Sequence, residues 1–441
     1  MSARKDAKAI FNAAVSAVHP NELIPAHLRV EGEQLIIFDQ KIPRSAATNI
    51  YVIGAGKASA AMAQVTERLM GSLLTKGIIV TKNGHALPLQ KIRCLEAGHP
   101  VPDERSLTAT ASMLELLATT TNDDIIICLL SGGASSVWAD VPAGATFPDL
   151  QQVFSLLLKS GARIEEMNAV RKHLSRIKGG QLLQQAAPGA RWFSFIISDV
   201  PDDRLDTIGS GPTVPDESSF ADVQKILDKY GITGKLPPVI AKHIADGLEG
   251  LVPETLKPAA AELYHIEHKI IGSNKIALRA AEASAKSLGY EVPFIDDTMN
   301  GDAATVGREF TRSCKKYTGP RPACFLLGGE TTVTVKGTGT GGRNQHMALS
   351  SLVEMTRNNE PGYDNRITFL AAGTDGTDGD TPVAGAVADQ EILDLMNLPG
   401  ISAEEALLNF DSNRFFKKVN GLYESGPTQT NVMDLVVVIV E

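Results

Sequence analysis

Short apolar runs that stop at glycine or aspartate and give way to helix-period segments recur along the chain. Ile50 to Ile53 ends at Gly54, Ile125 to Leu130 runs toward Gly132, and Phe193 to Ile197 toward Asp199. Phe325 to Leu327 stops at Gly328, and Ile367 to Ala371 is followed by Gly373. Such runs predict buried strands, and the helical periodicity between them predicts the crossovers of a parallel sheet. The fold class is therefore α/β. In open α/β sheets ligands bind outside the carboxyl ends of the strands, and that is where the polar, glycine-rich segments fall.

Length and composition divide this pattern between two domains. With 441 residues, 43% hydrophobic and 21% charged, the chain has more apolar material than one core usually holds. The stretch from Pro212 through Pro258 is richer in proline and charge, which predicts a boundary near residue 250, with domains 1–250 and 251–441. Ala277 to Leu288 reads as a helix and Pro361 to Arg366 as a surface loop. No apolar run approaches the roughly 20 residues a membrane-spanning helix needs, and the N-terminus has no signal-peptide core, so a cytoplasmic protein is expected. The net charge of -9 argues against a nucleic-acid partner. Cys94, Cys128, Cys314 and Cys324 form no C-x-x-C pair and read as free thiols, and the nine histidines form no zinc pattern.

Six segments could carry chemistry. In the first, Gly54, Gly56 and Lys57 join a strand to a helix, where small residues, the helix start and a lysine suit a phosphate or carboxylate. A tight turn with an exposed lysine is the alternative. The second, with Ser131, Gly132, Gly133, Ser135 and Ser136, offers N–H groups and hydroxyls with little bulk, either to an anion or merely to solvent. In the third, Met167, Val170, Leu174 and Ile177 make an apolar helical stripe, so Arg171, Lys172 and Lys178 are expected off the core, and Gly179-Gly180 closes the helix.

The fourth segment places Asp199 at a strand end, where a carboxylate can hold Mg²⁺ or accept a substrate proton, while Asp202 and Asp203 read as turn residues. The fifth runs from Gly328, Gly329 and Glu330 to Arg343. Its Gly337, Gly339 and Gly342 satisfy G-x-G-x-x-G, which leaves open a dinucleotide site or a mobile lid bearing one arginine fork. In the sixth, Asp375 and Asp378 fail the EF-hand spacing but could bind metal or hydroxyl, or simply make turns. Anion-binding loops, two cations (Lys57 and Arg343) and strand-end carboxylates in one α/β chain form an inventory suited to phosphoryl transfer.

In this order the segments resemble the glycerate 2-kinases whose C-terminal part is called the MOFRL region. The matching pieces are VIGAGKAS at Val52, GHPVPDERS at Gly98, LLSGGASS at Leu129, NAVRKHLSRIKGG at Asn168, SDVPDD at Ser198, GSGPTVPD at Gly209, LGGETTV at Leu327, GTGGRNQ at Gly339 and AAGTDGTDG at Ala371. The resemblance implies two α/β domains, the first Rossmann-like, with the active site in the cleft between them. It also implies ATP and Mg²⁺ as co-reactants and phosphorylation of D-glycerate at its 2-hydroxyl. Lys57 and Arg343 would line the cleft and act catalytically with Asp199. Asp199 and Asp375 would be the metal ligands. The cofactor-binding set would be Gly54, Gly56, Ser131, Gly132, Gly133, Ser135, Ser136, Gly328, Gly329 and Glu330.

Competing readings are an NAD(P)-dependent hydroxypyruvate reductase, resting on the glycine run at Gly337, a kinase for a related small sugar acid, and a non-catalytic sensor. A homodimer stays open.

Overall fold

The computed structural model describes residues 2–32, 34–45, 47–357, 366–396 and 402–441. The loop expected over Pro361 to Arg366 lies, except for Arg366, outside the described residues. The chain forms two compact units, one of Ile24–Ile271 and one combining Met1–Leu23 with Gly272–Glu441.

In the Ile24–Ile271 unit, β1 (Leu28–Glu31), β2 (Gln34–Ile37) and β3 (Gln40–Ile42) make a small antiparallel meander. The main sheet contains β4 (Ile50–Ala55), β5 (Lys76–Lys82), β6 (Ile92–Ala97), β7 (Ile125–Ser131), β8 (Arg191–Ile197) and β9 (His265–Gly272), in the order β6-β5-β4-β7-β8-β9. The pairings of β6 with β5, β5 with β4, β4 with β7 and β7 with β8 are parallel. Counted within the sheet, this is the 3-2-1-4-5-6 order of doubly wound folds, and β4 and β7 meet at the point where the strand order reverses. Both strands are buried along their whole length, as their unbroken apolar runs require. The Glu104–Leu117 helix, capped by Asp103, packs Ala109, Met113, Leu116 and Leu117 into the core of this sheet. A second core joins the helices Phe147–Lys159, Ile164–His173, Phe220–Lys229 and Pro238–Leu248.

The other unit holds β10 (Glu291–Met299), β11 (Ala323–Gly329), β12 (Ile367–Gly373), β13 (Gly385–Ala388), β14 (Leu422–Tyr423) and β15 (Asp434–Val440), in the order β10-β11-β15-β12-β13-β14. Among the named strands of the described residues, β10 and β11 pair in parallel and the other pairings are antiparallel. β15 lies antiparallel between β11 and β12, so its first residue, Asp434, stands opposite Gly329 and Gly373 at their carboxyl ends.

Two expectations need correction. The division between units does not fall near residue 250. The Ala3–Ala17 helix joins the C-terminal unit because Tyr290 Oη donates to Asp6 at 2.8 Å, Tyr423 Oη donates to Asn12 at 2.5 Å, and Thr430 Oγ1 donates to the Val18 carbonyl at 2.7 Å. The helix expected through Lys178 stops at His173. Asp140 captures Ser175 Oγ at 2.5 Å and the Arg176 N–H at 2.6 Å, and Gly179 and Gly180 take left-handed φ of 59° and 78°, so the chain turns there.

Candidate functional site

At the reversal point of the parallel sheet the loops after β4 and β7 are tied together. Lys57 N–H donates to the Gly132 carbonyl at 2.8 Å, and Ala58 N–H donates to Ser131 Oγ at 3.0 Å. Gly56 makes this possible. Its φ is +119°, and a Cβ there would come within 2.3 Å of the Ser131 carbonyl oxygen. Gly54 lies inside β4 against Leu129, so Gly54, Gly56 and Ser131 shape the loop from below. Above them, a Cβ at Gly133 would stand 2.8 Å from the His99 ring and 3.5 Å from Lys57 Cγ, which puts lysine, histidine and bare backbone side by side.

Next to this loop is a cavity of about 270 Å³ whose walls include Gly133, Ser135, Ser136, Asp140, Arg171, Ser175, Lys178, Asp199 and Gly209. Of the residues nominated from sequence, Gly133, Ser135, Ser136 and Asp199 are therefore brought together. Sequence reasoning left Arg171 and Lys178 out of the site, and the expectation that the basic residues of their segment avoid the core fails for Lys172 and Lys178. Lys172 and Lys178 are each only 6% exposed. Lys172 Nζ pairs with Asp216 at 3.1 Å. Lys178 Nζ donates to the Ser135 carbonyl (3.0 Å), Ser135 Oγ (3.1 Å) and the Trp138 carbonyl (3.1 Å), which uses all three ammonium protons and fixes the serine loop. Ser135 Oγ also meets Ser210 Oγ at 2.9 Å, with Ser210 held at a left-handed φ of 64°. The repeated small residues of GSGPT were the one sequence sign of this contact.

Burial pushes the Lys178 ammonium down to about 8, partly opposed by the Asp140 carboxylate and assisted by the Arg171 charge. A neutral amine fills two of the three acceptors, so the serine loop loosens as pH rises through about 8. The expected kcat/KM falls above that pH, and Lys178→Met should give a lower profile without this limb. Stability should move oppositely. Between about 8 and 10.5 the unfolded chain keeps a proton the folded one has released, so unfolding free energy rises with pH over this window. Urea melts of both proteins at pH 7.5, 9 and 10.5 check the sign, since only the Lys178 protein should show the rise.

In the other unit Arg343 opens the Arg343–Thr356 helix, but its fork is already engaged. Nε donates to Asp434 Oδ2 at 2.5 Å, Nη2 donates to Asp434 Oδ1 at 2.9 Å, and Nη1 lies 2.9 Å from Glu330 Oε1. Burial would lower the pKa of Arg343, yet the Asp434 carboxylate outweighs it and raises the value. Asp434 was missed from sequence, although a carboxylate opening a long valine-rich run is a visible signal. Gly328 and Gly329 pack against Asn274 and Met299, where any Cβ would collide. Asp375 Oδ1 accepts from Thr377 N (3.0 Å) and Oγ1 (2.9 Å), as in a turn. Asp378 accepts from the N–H groups of Asn344 (3.0 Å) and Gln345 (2.8 Å) and is pushed up to about 6, chiefly by burial.

That last contact decides the glycine run. The first N–H groups of the helix, which a dinucleotide fingerprint would offer to pyrophosphate, are taken by Asp378. Gly337, Gly339 and Gly341 lie against Asn409, Asp411 and Ser412, with Gly339 N–H donating to the Asn409 carbonyl at 3.1 Å, so these glycines serve close packing. Among the described residues no group of three or more His, Cys, Asp or Glu side chains is placed to hold a metal ion. Asp199 and Asp375 belong to different units.

Residues 6–245 match the family described as a domain of unknown function (DUF4147), and residues 323–434 match the MOFRL family. A Pyrococcus horikoshii protein named glycerate 2-kinase is 36% identical over 100% of this chain and 98% of its own length. An Agrobacterium vitis protein with the provisional name hydroxypyruvate reductase is 36% identical over 99% of this chain and 94% of its own. The solved structure of a Thermotoga maritima glycerate kinase superposes with a TM-score of 0.85 at 34% identity, covering 99% of each chain. With motifs, domains and full-length relatives in agreement, the chain belongs to the glycerate 2-kinase family.

Proposed function

We propose that the protein transfers the terminal phosphoryl group of ATP to the 2-hydroxyl of D-glycerate, releasing ADP, 2-phospho-D-glycerate and a proton. The observation that carries this reading is the closeness of the Lys57 side chain to the half-buried, bare backbone of Gly133 at the reversal point of the sheet, beside a small cavity that includes Asp199. Phosphoryl transfer needs positioning and charge neutralisation more than covalent chemistry, and this loop pair supplies both. Lys57 neutralises charge on the transferred group, and the Gly133 to Ser136 segment receives phosphate oxygens. Asp199 orients the attacking hydroxyl. It would also be the residue to hold the Mg²⁺ that accompanies the nucleotide, an ion that commonly needs only one or two carboxylates and would supply charge neutralisation there. Arg343 and Asp434 form a rigid pair at the carboxyl ends of β11 and β12.

No helix among the described residues is long and apolar enough to cross a membrane. Three buried free thiols and one half-buried support a reducing, cytoplasmic setting.

The test is one assay with D-glycerate, ATP and Mg²⁺, following ADP release and the product by phosphorus NMR, with hydroxypyruvate and NADH in parallel. The expected product is 2-phosphoglycerate. Formation of 3-phosphoglycerate would overturn the regiochemistry, and NADH consumption without phosphorylation would overturn the kinase.

A further inference from the structure

Arg171, half-buried, differs from the buried Lys172 and Lys178 beside it. Lys172 has Asp216 and Lys178 has three oxygens, but Arg171 makes a single long bond, Nη1 to Asn168 Oδ1 at 3.4 Å. Its Cζ lies 5.1 Å from the centre of the Phe154 ring, and among the described residues it forms no ion pair. A guanidinium has five N–H donors in a fixed fork. Withdrawing it from water without a counter-charge is costly, and an incoming anion offsets that cost. Burial correspondingly lowers its pKa.

The cavity sets the size of that anion. Its volume of about 270 Å³ has room for a small acid. Leu150, Phe154 and Leu174 give it an apolar wall, and Ser136 and Asp199 a polar one.

We propose that Arg171 is the carboxylate receptor of the acceptor substrate. A small 2-hydroxy monocarboxylate places its carboxylate in the guanidinium fork, its carbon chain along Leu150 and Leu174, and its hydroxyl on the Asp199 side. The identity of the acid as glycerate rests on the kinase reading, whereas the pocket's preference for a carboxylate does not. Phe154 lies against the planar guanidinium and helps to orient its fork, which lysine does not have.

The experiment varies D-glycerate and ATP separately for wild type, Arg171→Met and Arg171→Lys, with circular dichroism and thermal midpoints as folding controls. Calorimetry adds the binding of D-glycerate, glycolate, L-lactate and uncharged glycerol. Loss of one bidentate charge-assisted pair should raise the glycerate KM of Arg171→Met by roughly 30-fold or more and leave the ATP KM within about threefold. Arg171→Lys should fall between, and glycerol should not bind any of the proteins. Should the methionine variant misfold, Arg171→Gln repeats the comparison. A folded variant with near-normal glycerate KM, or one that loses ATP instead, would overturn the proposal. If wild type phosphorylates no D-glycerate, the kinase reading falls by itself. Carboxylate binding that depends on Arg171 would still support the receptor, and binding of no carboxylate would sink it.

Discussion

Arg343→Ala should lower the stability of the protein by about 3–5 kcal/mol, because it strands a carboxylate rather than merely removing a cation. Asp434 is fully buried and spends both oxygens on the Arg343 fork. Cut to alanine, the site keeps a carboxylate without the Arg343 counter-charge between Gly329 and Gly373, and the Arg343–Glu330 ion pair is lost as well. At roughly 2–4 °C per kcal/mol the melting transition should fall by about 10 °C. Asp434→Asn in the same chain should recover a large part of the loss, since a neutral amide no longer needs the cation. Calorimetric melts of the two single variants and the double variant decide it. An Arg343→Ala protein melting within a degree or two of wild type would show that the pair contributes little. Activity lost on changing Arg343 is therefore interpretable only beside the melt, or in a folded double variant.

What the sequence made legible was whatever depends on neighbours in the chain. The five strands expected at Ile50, Ile125, Phe193, Phe325 and Ile367 all form, because an apolar run flanked by glycine or aspartate has few other ways to bury itself. The helix starting at Arg343 was readable for the same reason, whereas the short Ala134–Val137 helix that carries Ser135 and Ser136 was not. What stayed hidden depends on groups far apart in the chain. The Ala3–Ala17 helix goes to the C-terminal unit through Tyr290 and Tyr423, and nothing in its own residues points to them. The helix end at His173 is set by Asp140, and the burial of Lys178 by oxygens of the serine loop, so a charged residue that periodicity assigns to solvent lies inside. The pairing of Arg343 with Asp434 was invisible because the two are 91 positions apart. Arg171 looked like a solvated charge because Phe154 and the cavity become visible only once the helices pack.

Lys57→Ala is the variant expected to separate chemistry from folding. The backbone N–H of residue 57 holds the Gly132 carbonyl, and replacing the side chain by alanine leaves that bond in place. The side chain is half-buried at Gly133 rather than packed in the core, so the melting temperature should shift by no more than a degree or two. Turnover should fall by about 10³-fold, the scale seen when one preorganised cation or donor facing a transferred phosphoryl group or oxyanion is removed. Lys57→Arg keeps the charge but puts a planar fork where the loop accommodates a point charge, and should recover only part of the rate. If the charge acts mainly in the transition state, kcat drops while the KM values for ATP and D-glycerate change little. A KM increase with normal kcat would instead make Lys57 a ground-state binding group, and a folded alanine variant within tenfold of wild-type kcat/KM would remove it from the mechanism.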